Sequence, residues 1–230
     1  MEYAVYGAPG ELPAIPTGEA RVAGVPVTVS GEPVPDDWEE RWKRFHGPLL
    51  VDGQLYVRPP WSEPAVRPGV HEIVIDPGEA FGTGAHPTTR LSLELLLEIE
   101  PRGSLADLGC GSGVLAIAAA KLGFRPVTAV DCDRAAVRAT KVNARANGVA
   151  LERVARADLR GQASPAADVV VANLMRPLLL RVAGLMRERP GALVLSGLLE
   201  HEADEVAAAF APLEESRRLT LQGWSALLLG

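Results

Sequence analysis

From His71 onward, short apolar runs alternate with segments in which apolar residues recur every three or four positions. The runs 71–75, 104–108, 126–131, 150–155, 167–173 and 191–196 read as strands, and the segments 88–98, 113–122, 134–146, 176–187 and 201–209 read as helices. Continuous apolar strands such as Val169-Val170-Val171-Ala172 suit a sheet buried on both faces. The alternation therefore predicts an α/β fold, a mostly parallel sheet covered by helices. Two closing strands, 213–220 and 223–229, have no helix between them and predict an antiparallel hairpin at a sheet edge.

Ahead of His71 the pattern changes. Residues 1–36 are rich in Gly and Pro, with short β-like pieces at Tyr3–Tyr6, Ala20–Ala23 and Val25–Val29. They predict a small β-rich appendage suited to substrate docking. Asp36 or Asp37 is placed to cap a short helix through Phe45, with Trp38, Trp42 and Phe45 on one face. A strand at Gln54–Val57 and a Pro-rich stretch, Pro59–Pro68, complete a linker over 37–70, leaving 71–230 as the main domain.

Composition narrows the function classes. The chain of 230 residues has a net charge of −6, which argues against a direct nucleic-acid or anionic-membrane footprint while leaving a basic protein partner open. Cys110 and Cys132 form no C-x-x-C pair, so neither a disulfide framework nor a cysteine metal site is expected, and a reducing cytoplasm is the expected location. No leader-like or membrane-spanning segment is expected either. Nothing in the sequence fixes the oligomeric state.

The chemistry concentrates in three segments. Ala106-Asp107-Leu108-Gly109-Cys110-Gly111-Ser112-Gly113 follows a strand and opens a helix, as a cofactor loop does. Its glycines follow G-x-G-x-G, and the acid before Gly109 repels phosphate, so a positively charged cofactor fits better than a dinucleotide. Asp131, with Cys132 beside it, lies 22 residues after Gly109, close to the spacing at which a carboxylate takes ribose hydroxyls. Asp158 is a candidate acceptor for an adenine amino group, or else a solvated turn or cap. Together these favour S-adenosylmethionine, a sulfonium carrying an adenosine.

The second segment runs from Asp76 to Thr89. Phe81 is suited to cover apolar parts of the cofactor, Gly82 allows close approach, and Thr83, Thr88 and Thr89 offer hydroxyls near a helix capped by Thr88 or its neighbour. His86 reads more readily as structural than as a base. In the third, an apolar strand empties into Asn173-Leu174. The Asn173 side-chain oxygen and the Leu174 carbonyl can accept hydrogen bonds from an incoming amine and aim its lone pair at a methyl group.

Asp76-Pro77-Gly78, Phe81-Gly82-Thr83-Gly84, His86, Thr88-Thr89-Arg90, the run from Asp107 to Ala118 and Ala172-Asn173-Leu174 together resemble the methyltransferase family that modifies the stalk-base protein of the large ribosomal subunit. The glycine loop alone marks any class I methyltransferase; the Asp76–Arg90 segment is the diagnostic one. The resemblance implies a seven-stranded class I methyltransferase fold, S-adenosylmethionine as donor, and lysine or α-amino groups as acceptors. It also matches Thr89, Gly109, Asp131 and Asn173 to cofactor-contacting positions. The family carries a longer N-terminal recognition domain than the residues ahead of Trp38 supply, so substrate identity transfers less firmly than cofactor chemistry. Alternative readings are methylation of another protein or of a small-molecule amine, a non-catalytic cofactor-binding protein and, weakest, an NAD-dependent dehydrogenase.

Overall fold

The computed structural model describes residues 18–22, 25–29, 47–64, 67–77, 86–100 and 102–230. The chain divides into two compact units, Met1–Trp42 and Lys43–Gly230. In the first, β1 (Gly18–Val22) and β2 (Val25–Val29) form an antiparallel pair running from Gly18 opposite Val29 to Val22 opposite Val25. The strand expected at Tyr3–Tyr6, the aromatic helix through Phe45, and Phe81, Gly82 and Thr83 lie outside the described residues.

The larger unit contains two sheets among its described residues. The smaller has the order β3 (Leu49–Val51), β4 (Leu55–Arg58), β5 (His71–Val74), with β4 and β5 parallel. The strand at His71, expected to open the main alternation, therefore belongs here and not to the main sheet. Val51, Leu55, Val57 and Ile73 carry it against the core as buried side chains. Asn147 holds its edge, accepting from the Val74 N–H and donating to the Val74 carbonyl at 2.8 and 2.6 Å. The Pro-rich stretch connects β4 to β5. Nearby, the half-turn after β4 wraps the buried Arg58, which pairs with Glu72 at 2.8 Å and donates to the Ser62 carbonyl at 2.9 Å.

The main sheet has seven strands in the order β11 (Glu215–Leu221), β12 (Trp224–Leu229), β10 (Ala192–Leu199), β9 (Val169–Asn173), β6 (Leu105–Leu108), β7 (Val127–Asp131), β8 (Arg153–Arg156). β10, β9, β6, β7 and β8 are parallel, and β12 runs antiparallel to both β10 and β11, as the missing helix between the last two strands requires. Alternate strand residues face opposite layers. Val169 and Val171 join the core with α1 (Pro87–Leu97) and α2 (Val114–Leu122), while Val170 and Ala172 join the core with α4 (Arg176–Leu185) and α5 (Ala203–Ala209). α3 (Arg134–Ala146) turns Ala136, Thr140, Asn143 and Ala144 inward and its charged residues outward.

Element limits differ from the sequence reading where long-range pairing decides them. β8 begins at Arg153, because Glu152 N–H already closes onto the Val127 carbonyl and Leu151 packs inward as loop. β10 continues past residue 196 to Leu199 through a bulge. β6 is the strand from which the order departs in both directions. In open α/β sheets, ligands bind beyond the carboxyl ends of the strands at such a point.

Candidate functional site

Gly109, Asp131 and Asn173 sit at the carboxyl ends of β6, β7 and β9. The glycine loop is pinned from two sides. Gly109 and Cys110 donate their N–H groups to the Val130 carbonyl at 2.8 and 3.0 Å. From α3, the Thr140 hydroxyl reaches the Gly111 carbonyl at 3.0 Å, and Asn143 donates to the Ser112 carbonyl at 2.9 Å while accepting from the Asp76 N–H at 3.2 Å. Gly109 has φ +77°, and a Cβ there would run into the Leu174 side chain, so the first cofactor-loop glycine abuts the residue after Asn173. Glycine is the residue that accepts both conditions.

Asp107 is the buried charge of the site. One carboxylate oxygen accepts from the Ala116 N–H at 3.1 Å, and the other, equally buried, has no partner. Burial pushes its pKa up to about 7; the Ala116 N–H opposes the shift and the nearby Asp131 carboxylate adds to it. The Cys110 thiol is pushed far up by burial and by Asp107, which leaves it neutral and unreactive. Asp131 is oriented by backbone, one oxygen accepting from Gly111 N–H at 3.0 Å and the other from Asp133 N–H at 2.9 Å. A carboxylate has further lone pairs for ribose hydroxyls. Cys132 is exposed beside it, and its carbonyl accepts from Arg156 at 2.8 Å. Asp158 is gripped by Arg160 through both oxygens, at 2.9 and 2.8 Å, which holds its carboxyl down to about 2. To accept from an adenine amino group it must share or exchange that partner.

The acceptor side is built by α1, β9 and β10. His86, and not Thr88, is the N-cap of α1: its ring accepts from the Thr88 N–H and meets the Thr88 hydroxyl at 2.8 Å, while its edge packs on Trp224 with ring centroids 5.0 Å apart. Burial lowers its pKa, which suits a neutral capping imidazole. Thr88 and Thr89 are buried in the first turn, and the Asn173 amide meets the Thr89 hydroxyl at 3.5 Å. The structure thus joins Thr89, Gly109, Asn173 and Leu174, with Asp107, Gly111, Gly113 and Asp131 along the loop.

Two pairs of contributing residues have no counterpart in the sequence reading. Thr140 and Asn143 announce themselves in sequence only as polar residues on the inward face of an amphipathic helix. Ser196 and Gly197 read locally only as the end of an apolar strand, because their role depends on the pairing of β10 with β9. The Ser196 carbonyl accepts from the Leu174 N–H at 3.0 Å, and its hydroxyl donates to the Thr88 carbonyl at 3.1 Å.

Chemically, the arrangement offers a bare backbone loop, a buried unpaired anionic oxygen, a preset carboxylate and two neutral acceptors. An adenosine-bearing cation fits it; a pyrophosphate, facing Asp107 and Asp131, does not. Among the described residues no group of His, Cys, Asp and Glu is placed to hold a metal ion, and no helix is long and apolar enough to cross a membrane.

Comparison with known proteins agrees. The family model described as ribosomal protein L11 methyltransferase (PrmA) matches residues 22–229. A ribosomal protein L11 methyltransferase of Shewanella piezotolerans is 42% identical over 179 residues, covering 76% of this chain and 61% of the relative. Its namesake from Geobacter sp. is 41% identical over 203 residues, covering 84% and 66%. The chain thus spans less than two thirds of the length of these relatives. Among solved structures, ribosomal protein L11 methylase from Lactobacillus delbrueckii subsp. bulgaricus superposes with a TM-score of 0.72 at 25% identity, covering 81% of this chain and 98% of that one. A tRNA (uracil-54, C5)-methyltransferase of Pyrococcus abyssi, solved with S-adenosyl-L-homocysteine, shares the fold at a TM-score of 0.57 and 21% identity, over 67% of this chain and 41% of that one.

Proposed function

Because this chain belongs to the ribosomal protein L11 methyltransferase family, we propose that it is an S-adenosylmethionine-dependent protein N-methyltransferase, with lysine or α-amino groups as acceptors and ribosomal protein L11 as first candidate substrate. The observation that carries this reading is the contact between the two halves of the site: Leu174 abuts Gly109, and Asn173 abuts Thr89. An amine held by residues 173 and 174 therefore lies beside whatever the glycine loop holds.

The donor supplies an electrophilic methyl group on a positively charged sulfur. Asp107 presents its unpaired oxygen to the donor's ammonium group, and Asp131 accepts from the ribose hydroxyls. Asn173 and the Leu174 carbonyl accept the N–H bonds of the incoming amine, leaving its lone pair directed along the line of displacement. Both are neutral. A carboxylate in their place would hold the acceptor as ammonium, whereas a neutral pair in a partly buried site beside a cation lowers a lysine from its ordinary pKa of about 10.4. His86, committed to its cap and to Trp224, is not required as a base.

Residues 1–36 serve in this reading as a docking appendage, whereas the 37–70 stretch expected as its linker carries β3 and β4 of the larger unit, which begins at Lys43. A basic protein partner suits the chain's net charge of −6, and the cytoplasm suits its two free cysteines. The test is transfer of labelled methyl from S-adenosylmethionine to purified L11, with wild type and Asp131→Ala side by side. Label that is lost in the variant supports the reading. Cofactor binding by calorimetry without label on L11 moves the acceptor to another amine or the protein to a non-catalytic role, and absence of cofactor binding refutes the reading.

A further inference from the structure

We infer that Gly197 is a positioning residue for methyl acceptance: by lacking a side chain it sets where the Leu174 carbonyl stands. The inference rests on the methyltransferase reading above and adds a residue that touches neither donor nor acceptor.

Three features meet at this position. β10 pairs with β12 as Leu195 opposite Leu227 and then as Leu198 opposite Ser225, so β10 carries one extra residue between them, a bulge at Ser196-Gly197. The backbone at Gly197 has φ +83°, the left-handed region that L side chains rarely adopt. A Cβ built there would lie 2.5 Å from the Leu174 carbonyl oxygen, 2.8 Å from its carbon and 3.0 Å from its nitrogen. The neighbour is thus the peptide backbone of the acceptor residue itself, which has no flexible end to swing aside.

The bulge serves the other side of β10 as well. Ladder pairing between β9 and β10 runs from Val169 opposite Ala192 to Asn173 opposite Ser196, and the Leu174 N–H extends it by one bond to the Ser196 carbonyl. Leu174 is therefore tied at its nitrogen to residue 196 and rests its carbonyl against residue 197. The Ser196 hydroxyl bonds the Thr88 carbonyl, next to the Thr89 that meets Asn173. One bulge thus fixes the Leu174 carbonyl directly and anchors the turn that meets the Asn173 amide. An added Cβ forces the Leu174 carbonyl back by most of an ångström, while Asp107 keeps its Ala116 N–H on α2, Asp131 its bonds from Gly111 and Asp133, and Gly109, which faces only the end of the Leu174 side chain, its bond to Val130.

This predicts a split between donor and acceptor. A misplacement of about 1 Å in a group that aligns reactants costs on the order of 100-fold in rate. In Gly197→Ala we expect S-adenosylmethionine affinity within about threefold of wild type and turnover on the protein acceptor lowered by about 100-fold. The matched control is Gly223→Ala, in the turn before β12: Gly223 also has a left-handed φ, +79°, but a Cβ there meets nothing within 4 Å. It should show the loss of thermal stability that left-handed strain alone imposes, smaller than at 197, and keep its turnover. Where alanine at 197 does not fold, Gly197→Asn carries the same Cβ with better tolerance of left-handed backbone.

Turnover of the 197 variant within a few-fold of wild type overturns the inference. So does a cofactor affinity that falls in proportion to turnover, equal loss of turnover in the Gly223 control, or failure of both 197 variants to fold, each of which assigns Gly197 a purely structural role. A wild type that binds cofactor and methylates nothing refutes the methyltransferase reading instead, so the two failures are distinguishable.

Discussion

Asp107→Asn should make the ligand-free protein more stable and a poorer binder of its cofactor. Asp107 is fully buried, its pKa stands at about 7, and one of its oxygens has no partner. The folded state binds the proton more tightly than the unfolded chain, where an aspartic acid titrates near 3.8. The group's cost is therefore absent below about pH 4, grows as pH rises between about 4 and 7, and is complete above. Three pH units at 1.36 kcal/mol each set that cost at about 4 kcal/mol. Asparagine keeps an oxygen for the Ala116 N–H, and its buried NH2 costs roughly 1–3 kcal/mol if it finds no acceptor. The net gain at pH 8 is then about 1–3 kcal/mol. Urea unfolding of wild type and variant at pH 5 and pH 8 separates the parts, because the amide's cost does not change with pH. The variant's advantage should be about 2–3 kcal/mol larger at pH 8 than at pH 5. An advantage equal at the two pH values within about 0.5 kcal/mol would refute the buried-charge account. Calorimetry on the same pair should show cofactor affinity weakened by about 10- to 100-fold, since the variant no longer offers an anion to the ligand's ammonium.

Three further outcomes follow from the same geometry. Asn173→Ala removes one of the two amine acceptors we propose and should lower turnover by about 100-fold with cofactor affinity changed only a few-fold, read by single-turnover methylation and calorimetry. Asn143→Ala removes the side-chain bonds to the Ser112 carbonyl and the Asp76 N–H and should cost about 1–3 kcal/mol in denaturant unfolding, with faster hydrogen exchange at Gly111 and Gly113. Asp158→Ala should leave stability unchanged because the group is exposed; a loss of cofactor affinity would show that Asp158 leaves Arg160 to bind adenine, and no loss assigns it to that ion pair alone.

What could be read from the sequence divides along the range of the interactions involved. The parallel strands and their helices were legible because Val169–Ala172 and Val114–Ala120 are apolar beyond what a surface element tolerates, and Gly109 and Asp131 because loop and carboxylate lie on consecutive strands. The strand at His71 was assigned to the wrong sheet, since its alternation is equally at home beside β4; the choice is made by Asn147, more than seventy residues away, bonding the Val74 backbone. His86 stands as cap in place of Thr88 because proline at N1 fixes the start of α1 two residues earlier than a Thr88 cap implies. The bulge at Ser196-Gly197 is ambiguous in sequence: a serine and a glycine in an apolar run mark either a strand end, where the expected strand stops, or a bulge within a longer strand. Its meaning exists only across the sheet, where a backbone without a side chain meets another backbone. A site of this kind is specified twice over, by motifs that hold the ligands and by silent residues that hold the motifs, and the second set can be recovered only from the fold.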